Sequence, residues 1–99
     1  MNPTAQPQLT VAQAPDYRET YANSVQVRVS VWDFQLAFGL ASSDSPDQVT
    51  IKNHAAIYLS PQQAKALHGI LQHHIVEYER AFGEIKLDPQ QFNPGGAVN

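Results

Sequence analysis

The sequence predicts an α+β domain: a three-stranded antiparallel meander followed by one long carboxy-terminal helix packed on one sheet face, in the order β-β-β-α. Two observations carry that reading. Apolar residues alternate with period two through three consecutive segments, and a period near 3.6 then takes over from Pro61 to Phe82.

The first segment begins at Ser24. Val25, Val27, Val29 and Val31 are apolar while Gln26, Arg28 and Ser30 are polar, the pattern of a half-buried strand. The phase then flips, and Phe34, Leu36, Phe38 and Leu40 carry the large apolar groups on even positions. One continuous strand would send these two sets to opposite faces. A hairpin turning at Ser30, Val31, Trp32 and Asp33 returns both to one face, and a bulge inside a single long strand is the alternative. Residues 42–47 (Ser-Ser-Asp-Ser-Pro-Asp) are dense in turn formers. Beyond them Val49, Ile51, Ala55, Ile57 and Leu59 form the apolar phase of a third strand. Asn53 interrupts that phase, which marks either a bulge or a buried hydrogen bond.

The helix has both of its punctuation marks. Ser60 is placed to cap the free amides, Pro61 suits the first helical position, and Gln63 can complete a capping box. Gly83 stops the helix. At 1.5 Å per residue its length is roughly 33 Å. On a helical wheel Ala64, Leu67, Ile70, Leu71, Ile75, Tyr78, Ala81 and Phe82 span an arc of about 140°, with His74 inside it. So broad a stripe exceeds what one sheet face requires, and its surplus points to a second chain, most simply in a dimer.

Domain organisation follows from composition. Residues 1–20 and 86–99 are rich in Pro, Gln and Ala or Gly and read as flexible tails, leaving a single domain over residues 21–85. A domain this small buries a modest core, and with no cysteine among the 99 residues it has no disulfide or thiolate–metal site to support it. Oligomerisation is the remaining source of stability. The formal charge of −3, with six Lys and Arg dispersed along the chain, lacks the basic stripe expected of a nucleic-acid binder. No apolar run approaches the ~20 residues of a membrane helix, and the first residues do not resemble a signal peptide. The expected compartment is the cytosol.

No motif carries chemistry, so neither a catalytic residue nor a cofactor is expected. His73 and Glu77 share one helical face, but two ligands do not make a metal site. Gly95-Gly96 has no helix after it and is not a phosphate loop. His74 reads as a hydrogen-bonded core residue or as one facing its twin across a dimer axis. The candidate oligomer interface is Leu67, Ile70, Leu71, His74, Ile75 and Tyr78. The candidate partner surface is Trp32 at the hairpin tip with Arg28, Lys52, His54 and Tyr58 on the polar sheet face, which also holds Gln26 and Gln35.

Several segments resemble a known family: Tyr21-Ala22-Asn23, Phe34-x-Leu36-x-Phe38, Ile57-x-Leu59-Ser60-Pro61-Gln62-x-Ala64-Lys65-x-Leu67 and Ile75-x-x-Tyr78-Glu79-x-x-Phe82-Gly83-x-Ile85. They are similar to the bacterial and archaeal domain-of-unknown-function family 3467 over residues 21–85. The resemblance implies a fold and no activity. Its members commonly have a charged first turn, where this chain has Val31-Trp32, and a basic residue where Ala56 and Ala66 stand. Those departures weigh against a role that needs positive charge. The function expected is a non-enzymatic oligomeric protein-interaction module, adaptor-like or chaperone-like, acting on a protein partner. At the level of fold alone, a meander backed by a long helix loosely resembles the SecB type of export chaperone. The alternative is a small dimeric nucleic-acid-associated regulator, supported by Arg28 and Lys52 on one face.

Overall fold

The computed structural model describes residues 6–87. Strand β1 spans Ser24–Val29, β2 Phe34–Ser45 and β3 Gln48–Leu59, and helix α1 runs Pro61–Phe82. The strands form one antiparallel sheet in the order β1-β2-β3, the expected meander. The last residues of the expected carboxy-terminal tail, from 88 onward and including Gly95-Gly96, lie outside the described residues.

The phase flip at residues 30–33 is a hairpin. Ser30 N–H donates to the Asp33 carbonyl at 2.9 Å. The Ser30 hydroxyl accepts from the backbone amides of Trp32 (3.0 Å) and Asp33 (3.1 Å), the local side-chain bonding that favours serine in turns. The second connection is tighter than the turn formers suggest. Strand pairing continues through Ser42↔Thr50, Ser43↔Val49 and Ser45↔Gln48, leaving Pro46 and Asp47 as the link. Asp44 slips out of the ladder there, and its carboxylate accepts from the Thr50 hydroxyl.

Asn53 marks a bulge. Phe38 pairs with Ala55 but Gly39 pairs with Asn53, so His54 is the extra residue. The bulge drives β3 backbone against Gly39: a Cβ at that position would lie 2.5 Å from the Lys52 carbonyl oxygen and 2.8 Å from Asn53 Cα. Only glycine fits there. The register has a consequence for the third strand's apolar phase. Ala55, Ile57 and Leu59 pair with Phe38, Leu36 and Phe34, whereas Ile51 pairs with Ala41 and Val49 with Ser43. Cross-strand partners share a face, so Val49 and Ile51 belong to the opposite face from Ile57 and Leu59. The expected single apolar phase along β3 is thus corrected into two, because one inserted residue reverses every side chain before it.

The helix starts and stops as its punctuation demands. Ser60 is extended at φ −62° and ψ 156°, and its Oγ accepts from Gln63 N–H at 3.1 Å. Gly83 adopts φ 105° and donates its N–H to the Glu79 carbonyl at 2.9 Å. The Glu79 side chain then accepts from Ile85 N–H at 2.9 Å, which fastens the chain leaving the helix. The first turns pack against the sheet through Ala64 and Leu67, which are half-buried, while residues 68–78 are exposed throughout.

Candidate functional site

Register builds the apolar surface residue by residue. Three cross-strand rows, Val29–Phe34–Leu59, Val27–Leu36–Ile57 and Val25–Phe38–Ala55, place nine apolar side chains on one face. The helix covers the Phe34 end of that face, where its first three turns and the sheet enclose an open groove of about 580 Å³. The groove is lined by Val27, Phe34 and Leu36 from the sheet side, by Leu59, and by Leu67 and Leu71 from the helix. The rest of the face is uncovered, so Val25, Val27 and Ile57 remain about half exposed.

The expected interface residues lie along the same surface. Ile70, Leu71, Ile75, Tyr78 and Phe82 each keep between 45 and 75% of their surface exposed, and no helical residue is buried. Tyr78 and Phe82 lean on each other with ring centroids 4.9 Å apart. Leu67 is the member of the set that the sheet partly covers. His74 is exposed and stands edge-on to His73 at 5.2 Å, so the plainer expectation of a core histidine does not hold within one chain. It lies in a stretch, residues 68–78, that the sheet leaves exposed throughout. Glu77 is engaged by Arg80 at 2.7 Å rather than by His73.

The polar face gathers part of the expected partner surface. Arg28, Gln35 and Tyr58 form one cross-strand row, and Gln35 Nε2 donates to Tyr58 Oη at 2.9 Å. With Val29, Ser30 and Asp33 they line an open cleft of about 410 Å³ beside the first turn. Arg28 has no ion-pair partner among the described residues. Trp32 stands free at the turn, 81% exposed, rather than folding back over the sheet. Lys52 and His54 do not join this group. Lys52 pairs with Leu40, on the phase of Phe38 and Leu36, because the bulge turned it over. His54 sits in the bulge and its Nε2 donates to the Tyr21 carbonyl at 3.0 Å. The expected pairing of Arg28 with Lys52 on one face is therefore corrected.

The Tyr21-Ala22-Asn23 segment anchors the entry to β1. Asn23 Oδ1 accepts from Ala41 N–H at 2.8 Å, and its Nδ2 donates to the Ala41 carbonyl at 3.4 Å. One amide side chain thus stands in for a strand residue beside β2 where β1 has ended. Ser24 next to it is the single buried polar residue among those described, 3% exposed. Sequence patterning does not single out Asn23 or Gly39, although a glycine inside an alternating strand is a signal for a bulge.

Among the described residues no helix is long and apolar enough to cross a membrane, and no group of three or more His, Asp or Glu side chains is placed to hold a metal ion.

Fold and surface together define a small α+β domain, a meander with a long helix that leaves much of its apolar face open. The chain belongs to the family described as Protein of unknown function (DUF3467), whose model matches residues 1–87. That match starts at residue 1, so it takes in the amino-terminal segment as well as the strands and helix. Neither a curated protein nor a solved structure matches the chain.

Proposed function

We propose that this chain is one subunit of a homo-oligomer, in its simplest form a dimer, and that the assembly is a non-enzymatic protein-interaction module of adaptor-like or chaperone-like use. The observation that carries the reading is the absence of a core: among the described residues not one apolar side chain is buried. Folding is driven chiefly by removing apolar surface from water, and a sheet and helix that leave theirs half exposed lack that drive until something covers them.

Area supports the same reading. The chain exposes 8979 Å², whereas a compact monomer of 10.9 kDa exposes about 5,600 Å². A standard interface takes about 800 Å² from each partner. The surface available is the sheet's apolar rows together with Ile70, Leu71, His74, Ile75 and Tyr78, and a two-fold axis lets one patch cover its own copy. The Arg28–Gln35–Tyr58 cleft and Trp32 stay outside that patch, and we assign them to the protein partner. The compartment proposed is the cytosol, where a chain without cysteine needs no disulfides.

The test is sedimentation across a hundredfold concentration range. The expected result is an oligomer whose dissociation coincides with loss of secondary structure. A stable, folded monomer at the highest concentration overturns the reading.

A further inference from the structure

The amino-terminal arm is the strongest feature that the oligomer reading leaves unexplained. Residues 6–15 (Gln-Pro-Gln-Leu-Thr-Val-Ala-Gln-Ala-Pro) carry no charge and form no helix or strand. Leu9, 90% exposed, and Val11, 85% exposed, are the two most exposed large apolar side chains among the described residues. The hydrogen bonds of residues 14–19 are local: Tyr17 N–H donates to the Ala14 carbonyl at 3.0 Å, and the Tyr17 hydroxyl to Glu19 at 2.8 Å. That second bond raises the Tyr17 phenol above its ordinary pKa.

We propose that this arm lies in the groove between helix and sheet of a second copy, with Leu9 and Val11 as its anchors. The inference rests on the homo-oligomeric reading and names one of its contacts. Chemistry matches on both sides. The groove is walled by Phe34, Leu36, Leu59, Leu67 and Leu71, and its polar lining side chains are Lys65 and His68. An uncharged arm introduces no charge to be desolvated there. Pro7 and Pro15 hold their own φ near −65° and bias the residues before them toward extended backbone, so less chain entropy is lost on docking. An extended segment has no internal backbone hydrogen bonds, and Lys65 and His68 offer donors to its carbonyls.

In the single chain no residue of the arm lines its own groove, and Leu9 and Val11 stay exposed. The chain enters β1 at the Gly39 end of the sheet, where Asn23 is bonded to Ala41 and the Tyr21 carbonyl to His54. The groove opens at the other end, by Phe34 and Leu59. Those ends are about 17 Å apart at 3.4 Å per residue. The family match includes the arm and ends at residue 87, which favours this segment over the residues after it as the occupant.

The chain contains no cysteine, so engineered pairs report cleanly. The double variant Leu9→Cys with Leu71→Cys, oxidised mildly, is expected to give covalent dimers on a non-reducing gel, since a disulfide needs Cα atoms within about 7 Å. A Val31→Cys, Leu71→Cys control is expected to give none. Removing residues 1–15 should raise the dissociation constant of the wild-type oligomer at least tenfold. A disulfide closed within one chain assigns the groove to the chain's own arm and overturns the proposal. So does the absence of a Leu9–Leu71 bond, or an unchanged dissociation constant, in a protein that sedimentation shows to be oligomeric; the oligomer reading survives those results. A monomeric wild type overturns both.

Discussion

Two glycines separate backbone necessity from convenience. At Gly39 an added methyl would meet the Lys52 carbonyl and Asn53 Cα, backbone atoms that cannot swing aside. Gly39→Ala should therefore destabilise the protein by about 1–3 kcal/mol, the cost of overpacking a tight site, measured by urea denaturation at fixed protein concentration. At Gly69 nothing lies within 4 Å, and the position is opposite the apolar stripe on the helical wheel. Gly69→Ala should stabilise by about 1 kcal/mol, the difference in helix propensity, in the same assay. Asn23 is a third decisive residue. Its amide satisfies both backbone groups of Ala41, and Asn23→Ala leaves them without it, at an expected cost of about 1–3 kcal/mol. A wild-type midpoint for Asn23→Ala would show that water replaces that pairing freely.

Elements in this chain are specified by their ends. The first hairpin depends on the Ser30 hydroxyl, which accepts from two amides, and the helix depends on Ser60. Ser60→Ala should cost about 0.5–2 kcal/mol, seen as a lowered denaturation midpoint, whereas Ser60→Asp should retain most of the stability because a carboxylate caps as well. Beyond Leu40 the sheet is reduced to the β2–β3 ribbon, since β1 ends its pairing at Gly39. A two-stranded ribbon is marginal in water, so amides of residues 42–50 should exchange with solvent faster than those of residues 34–38. Equal protection would mean that the ribbon is covered in the assembly.

At the scale of the whole molecule the governing quantity is shape. A radius of gyration of 17.6 Å compares with about 13 Å for a compact domain of 99 residues. In the proposed oligomer a second copy covers apolar faces that sheet and helix leave open in the single chain. Ile70 lies at the edge of the helical stripe, 55% exposed in the single chain. Placing a charge there tests the assembly without touching the groove. Ile70→Glu should yield monomers, or an unfolded chain if no monomer is stable, as read by light scattering alongside circular dichroism. An Ile70→Glu protein with wild-type mass and midpoint would remove that helix edge from the interface.

Local chemistry was enough to read the order of elements. Period-two alternation marked the strands, the odd-to-even flip required the hairpin at residues 30–33, and Ser60, Pro61 and Gly83 bounded the helix, because each of these signals acts within a few residues of itself. The sequence also exposed the surplus of apolar surface on the helix. Tertiary structure alone decided the rest. Asn53 announced an irregularity, but only the pairing of Gly39 with Asn53 shows that His54 is the extra residue and that Val49, Ile51 and Lys52 change faces. Register is a relation between strands, and no single strand contains it. The same holds for the site. Arg28, Gln35 and Tyr58 are up to thirty residues apart in the chain and become neighbours through two ladders. His74 has a place in the stripe that sequence gives unaided, but its exposure depends on how much of the helix the sheet covers, and residues 68–78 stay exposed, which follows from how three strands and one helix fit together in space.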